Sequence, residues 1–214
     1  MKATIITIAL LVSGIFTVTA QDGAYERAMA KAMEQMESAQ SPDQMLSAAN
    51  TFERISQKAT DQYLPSYYVA LNLLNYNWTL KDPGQRDEII DRAIEHVKKA
   101  AALSPGNDEV EVLNGYALMA KMTVDPMNRG QQYSPQIMQS FGKAISMNPT
   151  NPRAKIMMAQ MEVGTARFMG TDTSKACGLA QEGADLLAEE NVEGFEPSWG
   201  ADSAQQILSG CAKE

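Results

Sequence analysis

Two cysteines, one histidine and fourteen methionines are the soft or nucleophilic side chains of this 214-residue chain. Cys177 and Cys211 both fall in the carboxy-terminal part. In an oxidising compartment such an even pair predicts a disulfide tying the last helix to the one near 173–189, and two buried free thiols are the alternative. A cysteine nucleophile needs an adjacent base, and the one histidine, His96, lies far off in the sequence. His96 sits between acidic and basic neighbours and reads as a solvated surface residue. Met29, Met33 and Met36, and again Met157, Met158 and Met161, recur at helical spacing. Thioether clusters bind soft Cu(I), but such stripes more often form a deformable core. No pair of carboxylates stands out as general acid and base, and no Gly-rich phosphate loop or HExxH helix is present. The expectation is a chain with no catalytic residues, no cofactor and no metal site, hence not an enzyme.

Charge and composition point the same way. Lys and Arg number 18 against 26 Asp and Glu, a net charge of −8. Nucleic-acid affinity comes mainly from neutralising phosphates, so nucleic acid is not an expected partner. One His and two Cys cannot supply the four ligands of a closed zinc site. With 44% apolar and 21% charged residues the composition is that of a globular protein.

Residues 1–20, MKATIITIALLVSGIFTVTA, combine Lys2, an uncharged apolar stretch from Ile5 to Val18 and small residues at Val18 and Ala20. This is the form of a secretory signal peptide cleaved after Ala20, with an apolar run short of the roughly 20 residues of a membrane span. The mature chain is therefore expected to be periplasmic or secreted, with no transmembrane segment left.

The elements that must position everything else are helices. In 86–103, Ile89, Ile90, Ala93, Ile94, Val97, Ala100 and Ala101 recur at three- and four-residue steps, with charged residues mostly opposite. Ser41-Pro42-Asp43-Gln44 has the capping-box form. Ser134-Pro135 and Asn151-Pro152 could start helices similarly, and Pro83-Gly84 and Pro105-Gly106 mark breaks. The pattern predicts about nine helices, near 22–39, 42–58, 64–80, 85–103, 108–124, 135–147, 152–168, 173–189 and 201–212. Most carry one apolar stripe that none can bury alone.

The stripes repeat. Ala93, Val97, Ala100 and Pro105 are followed by Gly115; Ile137, Phe141, Ala144 and Pro149 by Ala159. Ala48, Phe52 and Ile55 form an earlier copy, and Ala176, Ala180 and Gly183 a worn one. Over 42–189 this resembles the tetratricopeptide (TPR) repeat, in which small residues let helices approach, a large one fills the gap and Pro ends the hairpin. The spacing departs from the family through extra residues at 125–133 and near Met169-Gly170-Thr171, and the signature Trp is missing. A second likeness is to small exported bacterial proteins of this class without an assigned reaction, carried by Leu64-Pro65-Ser66-Tyr67-Tyr68, Val124-Asp125-Pro126-Met127-Asn128-Arg129-Gly130 and Pro197-Ser198-Trp199-Gly200.

The resemblance implies an all-α superhelix of antiparallel helix hairpins: a leader at 1–20, an amino-terminal helix over 21–41, the repeats at 42–189, and a loop and capping helix at 190–214. First helices of such repeats line a groove for extended peptides. By that carry-over Tyr67, Asn75 and Tyr116 face the groove. The segment 125–133 reads as a polar loop whose Arg129 and Tyr133 could contact a ligand, or which folds over its neighbours. The resulting expectation is an exported, non-catalytic scaffold that binds a protein or peptide in the bacterial cell envelope. A structural subunit of an envelope complex and a Met-based copper carrier are the alternatives.

Overall fold

The computed structural model describes the backbone of residues 15–211 and the side chains of 23–211, so the leader expected over 1–20 lies outside the described side chains. Among the described residues there are nine helices and no strand: α1 (Ile15–Glu37), α2 (Pro42–Lys58), α3 (Leu64–Asn77), α4 (Pro83–Leu103), α5 (Asp108–Val124), α6 (Pro126–Met147), α7 (Pro152–Met169), α8 (Ser174–Glu189) and α9 (Ala201–Cys211). No described helix is long and apolar enough to cross a membrane.

One local device starts most of them. A side-chain oxygen of Ser41, Asp82, Asn107, Asp125 or Asn151 accepts from a backbone N–H of the first turn, and in all but α5 the next residue is Pro at the first helical position. The oxygen satisfies an otherwise orphaned donor, and Pro removes another while holding a helical φ. At Ser41 the box closes, because Gln44 Oε1 accepts from the Ser41 N–H at 3.0 Å.

Successive helices pack as antiparallel neighbours. In addition α3, α5, α7 and α9 touch one another in turn, whereas the even-numbered helices make no comparable contacts among themselves. The odd helices therefore form an inner row and the even ones an outer row, the geometry of an α–α solenoid. The repeated positions explain the stacking. Ala48, Phe52 and Ile55 of α2, Ala93, Val97 and Ala100 of α4, Ile137, Phe141 and Ala144 of α6, and Ala176, Ala180 and Gly183 of α8 are all buried. A Cβ on Gly115 would stand 2.4 Å from Phe141 Cε1, and one on Gly183 2.5 Å from Ile156 Cγ1. Both glycines are where a large side chain of the adjoining helix meets the backbone.

Three local expectations change. The stretch 125–133 is not a loop: Asp125 caps Asn128 N at 3.3 Å and α6 runs from Pro126 straight through Pro135. Ser134-Pro135 is thus helix interior, and the missing Pro N–H leaves the Gln131 carbonyl without its usual donor. The break expected at Pro83-Gly84 falls just before it, between Asn77 and Pro83, and Pro83 itself opens α4. His96 is not a solvated residue. Its side chain is 13% exposed and Nε2 lies 3.3 Å from Glu53 Oε1, and burial pulls the imidazole below its ordinary pKa. Cys177 and Cys211 are bonded, with Cα atoms 6.0 Å apart, which pins α9 to α8.

Candidate functional site

The inner row is not an open groove. Residues 190–200, without regular structure, run back across it as a strap. Trp199 Nε1 donates to the Tyr67 hydroxyl at 2.7 Å, the Tyr68 hydroxyl donates to the Phe195 carbonyl at 2.9 Å, and Tyr63 donates to Glu196 at 2.6 Å. The rings follow suit: Trp199 lies against Tyr116 at 6.2 Å, and Phe195 meets Tyr25 edge-on at 6.5 Å. Two of the sequence motifs noted above, Leu64–Tyr68 and Pro197–Gly200, are thereby partners in one packing unit.

The strap is anchored electrostatically by Arg153 on α7. Its Nε donates to Glu109 Oε1 at 2.8 Å, its Nη atoms reach the Glu190 carboxylate, and Nη1 also donates to the Trp199 carbonyl at 3.3 Å. Burial disfavours the charge, yet Glu190 and Glu109 hold Arg153 above its ordinary pKa. Glu109 goes up as well, because burial outweighs Arg153 beside it. Asn151 and Tyr67 complete its shell, donating at 2.7 and 3.3 Å.

Of the groove positions expected at Tyr67, Asn75 and Tyr116, the strap covers Tyr67 and Tyr116. Tyr67 and Tyr116 are buried, and the Tyr116 hydroxyl accepts from Trp78 Nε1 at 2.8 Å while donating to Asn75 Oδ1 at 3.1 Å. Burial pushes the Tyr116 phenol up to about 12. Tyr67 and Tyr116 thus hold the inner row together, while Asn75 is exposed and meets it only through the Tyr116 hydroxyl.

What stays open lies at one edge of the solenoid. A cleft of about 760 Å³ is enclosed by the end of α3, the last turns of α5, the first half of α6 and the last turns of α7. None of its lining residues is charged. Trp78, Met127, Phe168 and Met169 all line it, at 45%, 79%, 80% and 67% exposure, and Met119 and Met161 form a buried floor. Large exposed apolar side chains scattered singly are ordinary, whereas their convergence on one concavity makes it the candidate binding site. A smaller hollow of about 440 Å³ adjoins it, sharing Ser134, Pro135, Met161 and Thr165.

Because 126–147 is helical, the ligand-facing residues of that stretch are not those expected. Met127, Gly130, Gln131 and Ser134, at helical steps, wall the cleft. Arg129 and Tyr133 fall on another side of α6. Arg129 forms a two-point pair with Asp87, both N–O distances 2.6 Å, and Tyr133 packs on the core. Lys121 joins the same carboxylate at 2.9 Å. Arg129, with Lys121 helping, draws Asp87 down to about 2, although burial opposes them.

Several cleft residues, among them Met127, Gly130, Ser134, Met161 and Met169, fall in stretches noted from sequence, but none is read there as lining a site. The missed signal is Phe168, which with Met169 forms an apolar pair ending α7 before Gly170, off the buried face of their helix.

No protein-family profile and no curated protein matches the chain. Among solved structures it is similar to the HusA haemophore from Porphyromonas gingivalis, with 25% identity over 95% of this chain and 96% of that one, at a TM-score of 0.76. That fold carries a haemophore. A thermophilic TPR protein from Thermus thermophilus is also found, at 13% identity over 92% of this chain and 95% of that one, with a TM-score of 0.48.

Proposed function

We propose that this chain is an exported, non-catalytic binding protein for a large, flat, predominantly apolar small molecule, of the tetrapyrrole class to which haem belongs. The carrying observation is the cleft: uncharged throughout, about 760 Å³, and faced by Trp78, Phe168 and thioethers. That volume lies in the range of about 300–1,000 Å³ usual for small-molecule sites. Flexible, polarizable methionines suit the face of a conjugated ring, and an indole and a phenyl ring can stack on it. The similarity to a haemophore over nearly the whole of both chains supports the class. The chain's one histidine, His96, is on α4 beside Glu53 and does not line the cleft. Retention would rest on apolar contact, with Met119, Met122 and Met161 as the soft donors available to an iron centre. Export is supported by the leader-like residues 1–20 and by the Cys177–Cys211 disulfide, which suits an oxidising compartment.

Titrating residues 21–214 with haemin, followed by the Soret band and by indole fluorescence, tests this reading. Saturable one-to-one binding is expected, weakened about tenfold by Phe168→Ser. Absence of saturable binding, or an unchanged affinity in that variant, would overturn it. A second reading keeps the protein or peptide partner but moves it to the same cleft, since Met127, Phe168 and Met169 stand well out of the surface. Envelope proteins retained on the immobilised chain and released by Phe168→Ser, with no effect of haemin, would favour that alternative.

A further inference from the structure

The cleft itself has no charge, but one cation stands at its edge. Arg86, at the end of the first turn of α4, stacks over the Trp78 ring, with its guanidinium carbon 5.2 Å from the centroid. Its Nη1 and Nη2 donate to the carbonyl and Oγ1 of Thr123 at 3.2 and 3.1 Å. Trp78 and Thr123 both line the cleft. The third bond, from Nε to Asn77 Oδ1, measures 3.0 Å. All three partners are neutral, and among the described residues no carboxylate lies within ion-pair distance of Arg86. Three cations near the cleft and its adjoining hollow are, by contrast, matched: Lys121 with Asp87 and Asp91, Arg129 with Asp87, Lys175 with Glu162.

A guanidinium offers five N–H donors, and the three bonds leave two unused. Stacking and the Thr123 bonds fix the plane of the fork, so little side-chain freedom remains to be lost when an anion docks. We infer that Arg86 receives a carboxylate carried on the edge of the ligand, so that the cleft selects an amphiphilic anion with an apolar body and an acidic margin. This rests on the small-molecule reading above and adds to it a recognition residue outside the apolar lining.

Haemin and its dimethyl ester, identical but for the two carboxylates, separate the two claims. Both probes are titrated into wild-type protein, Arg86→Gln and Arg86→Lys, with thermal melts to verify folding. Wild type is expected to favour haemin over the ester about tenfold. The preference should vanish in Arg86→Gln, partly survive in Arg86→Lys, and shrink as salt rises. Equal wild-type affinity for the two probes, which needs no variant, overturns the role of Arg86 while leaving the cleft as a tetrapyrrole site. So does a full preference persisting in folded Arg86→Gln. Failure of both probes to bind wild type overturns the cleft reading and this inference together.

Discussion

Trp199 Nε1 sits 2.7 Å from the Tyr67 hydroxyl, across 132 residues of sequence, and that bond marks where the carboxy-terminal strap closes over the inner helices. Tyr67 in turn donates to Glu109, so the indole is the outermost member of a chain of donors leading to a buried carboxylate. The strap covers the inner face around Tyr67 and Tyr116, and the open cleft lies at the edge formed by α5, α6 and α7.

Trp199→Ala removes both the plug and the donor. A loss of about 2–4 kcal/mol of stability is expected in urea unfolding, with Trp199→Phe costing about 1 kcal/mol because the ring is kept and only the hydrogen bond goes. Equal losses for the two substitutions would show that the aromatic packing against Tyr116 contributes little.

Arg153→Met should be more severe, about 3–5 kcal/mol, because it strands Glu109 in the interior. Burial has already raised the Glu109 pKa, and losing the cation raises it further. A carboxyl whose folded pKa exceeds its unfolded value stabilises at low pH and loses that contribution as pH rises through the folded pKa. The deficit of Arg153→Met relative to wild type should therefore grow from pH 5 to pH 8, and Glu109→Gln in the same background should flatten it.

Asp87 behaves in the opposite sense. Arg129 draws its carboxyl down to about 2 from an ordinary 3.8, so the folded state binds fewer protons than the unfolded state between those values. Its contribution is present above pH 4 and disappears as pH falls toward 2. Wild type should show an acid-dependent drop in Tm over that interval that is smaller in Asp87→Asn. A drop of the same size in the variant would assign it to other carboxylates.

Gly115→Ala places a methyl 2.4 Å from the ring of Phe141, which is itself fully buried. Overpacking of this kind costs about 1–3 kcal/mol. Denaturant unfolding of Gly115→Ala alone and with Phe141→Leu should show the second substitution recovering part of the loss.

Reduction of the Cys177–Cys211 bond, which spans 34 residues, should remove about 3–4 kcal/mol by restoring freedom to the unfolded chain. Hydrogen exchange is expected to rise first in α9, which is held to α8 by that bond. Unchanged protection of α9 in the Cys177→Ser, Cys211→Ser double variant would locate its anchoring elsewhere.

Much of the scaffold was legible because its determinants are local. Periodic apolar stripes, Ser/Asp/Asn-Pro starts and the small-large-small triplets each act within a turn or two of helix, and Gly115 and Gly183 fall where helices press together. Where local signals compete, the outcome is set by context. At 125–133 the polar composition suggests a loop, but the Asp125 cap, the Pro126 start and the Arg129–Asp87 pair carry the helix through Pro135. That change rotates Arg129 and Tyr133 away from the cleft and brings Met127, Gly130, Gln131 and Ser134 to it.

The sequence by itself determined helix positions, hairpin stacking, the pairing of Cys177 with Cys211 as one of two options, and the residue types available for contact. It could not decide which face stays open, because that depends on where the irregular strap 190–200 settles, and an extended segment has no periodicity to reveal its partners. Only the tertiary structure shows Trp199 on Tyr67, Arg153 between Glu109 and Glu190, and the exposed Phe168, Trp78 and Met127 gathered around one hollow. Each of these contacts joins residues from separate elements, helices or the strap, and their chemistry exists only once the solenoid has brought them within reach.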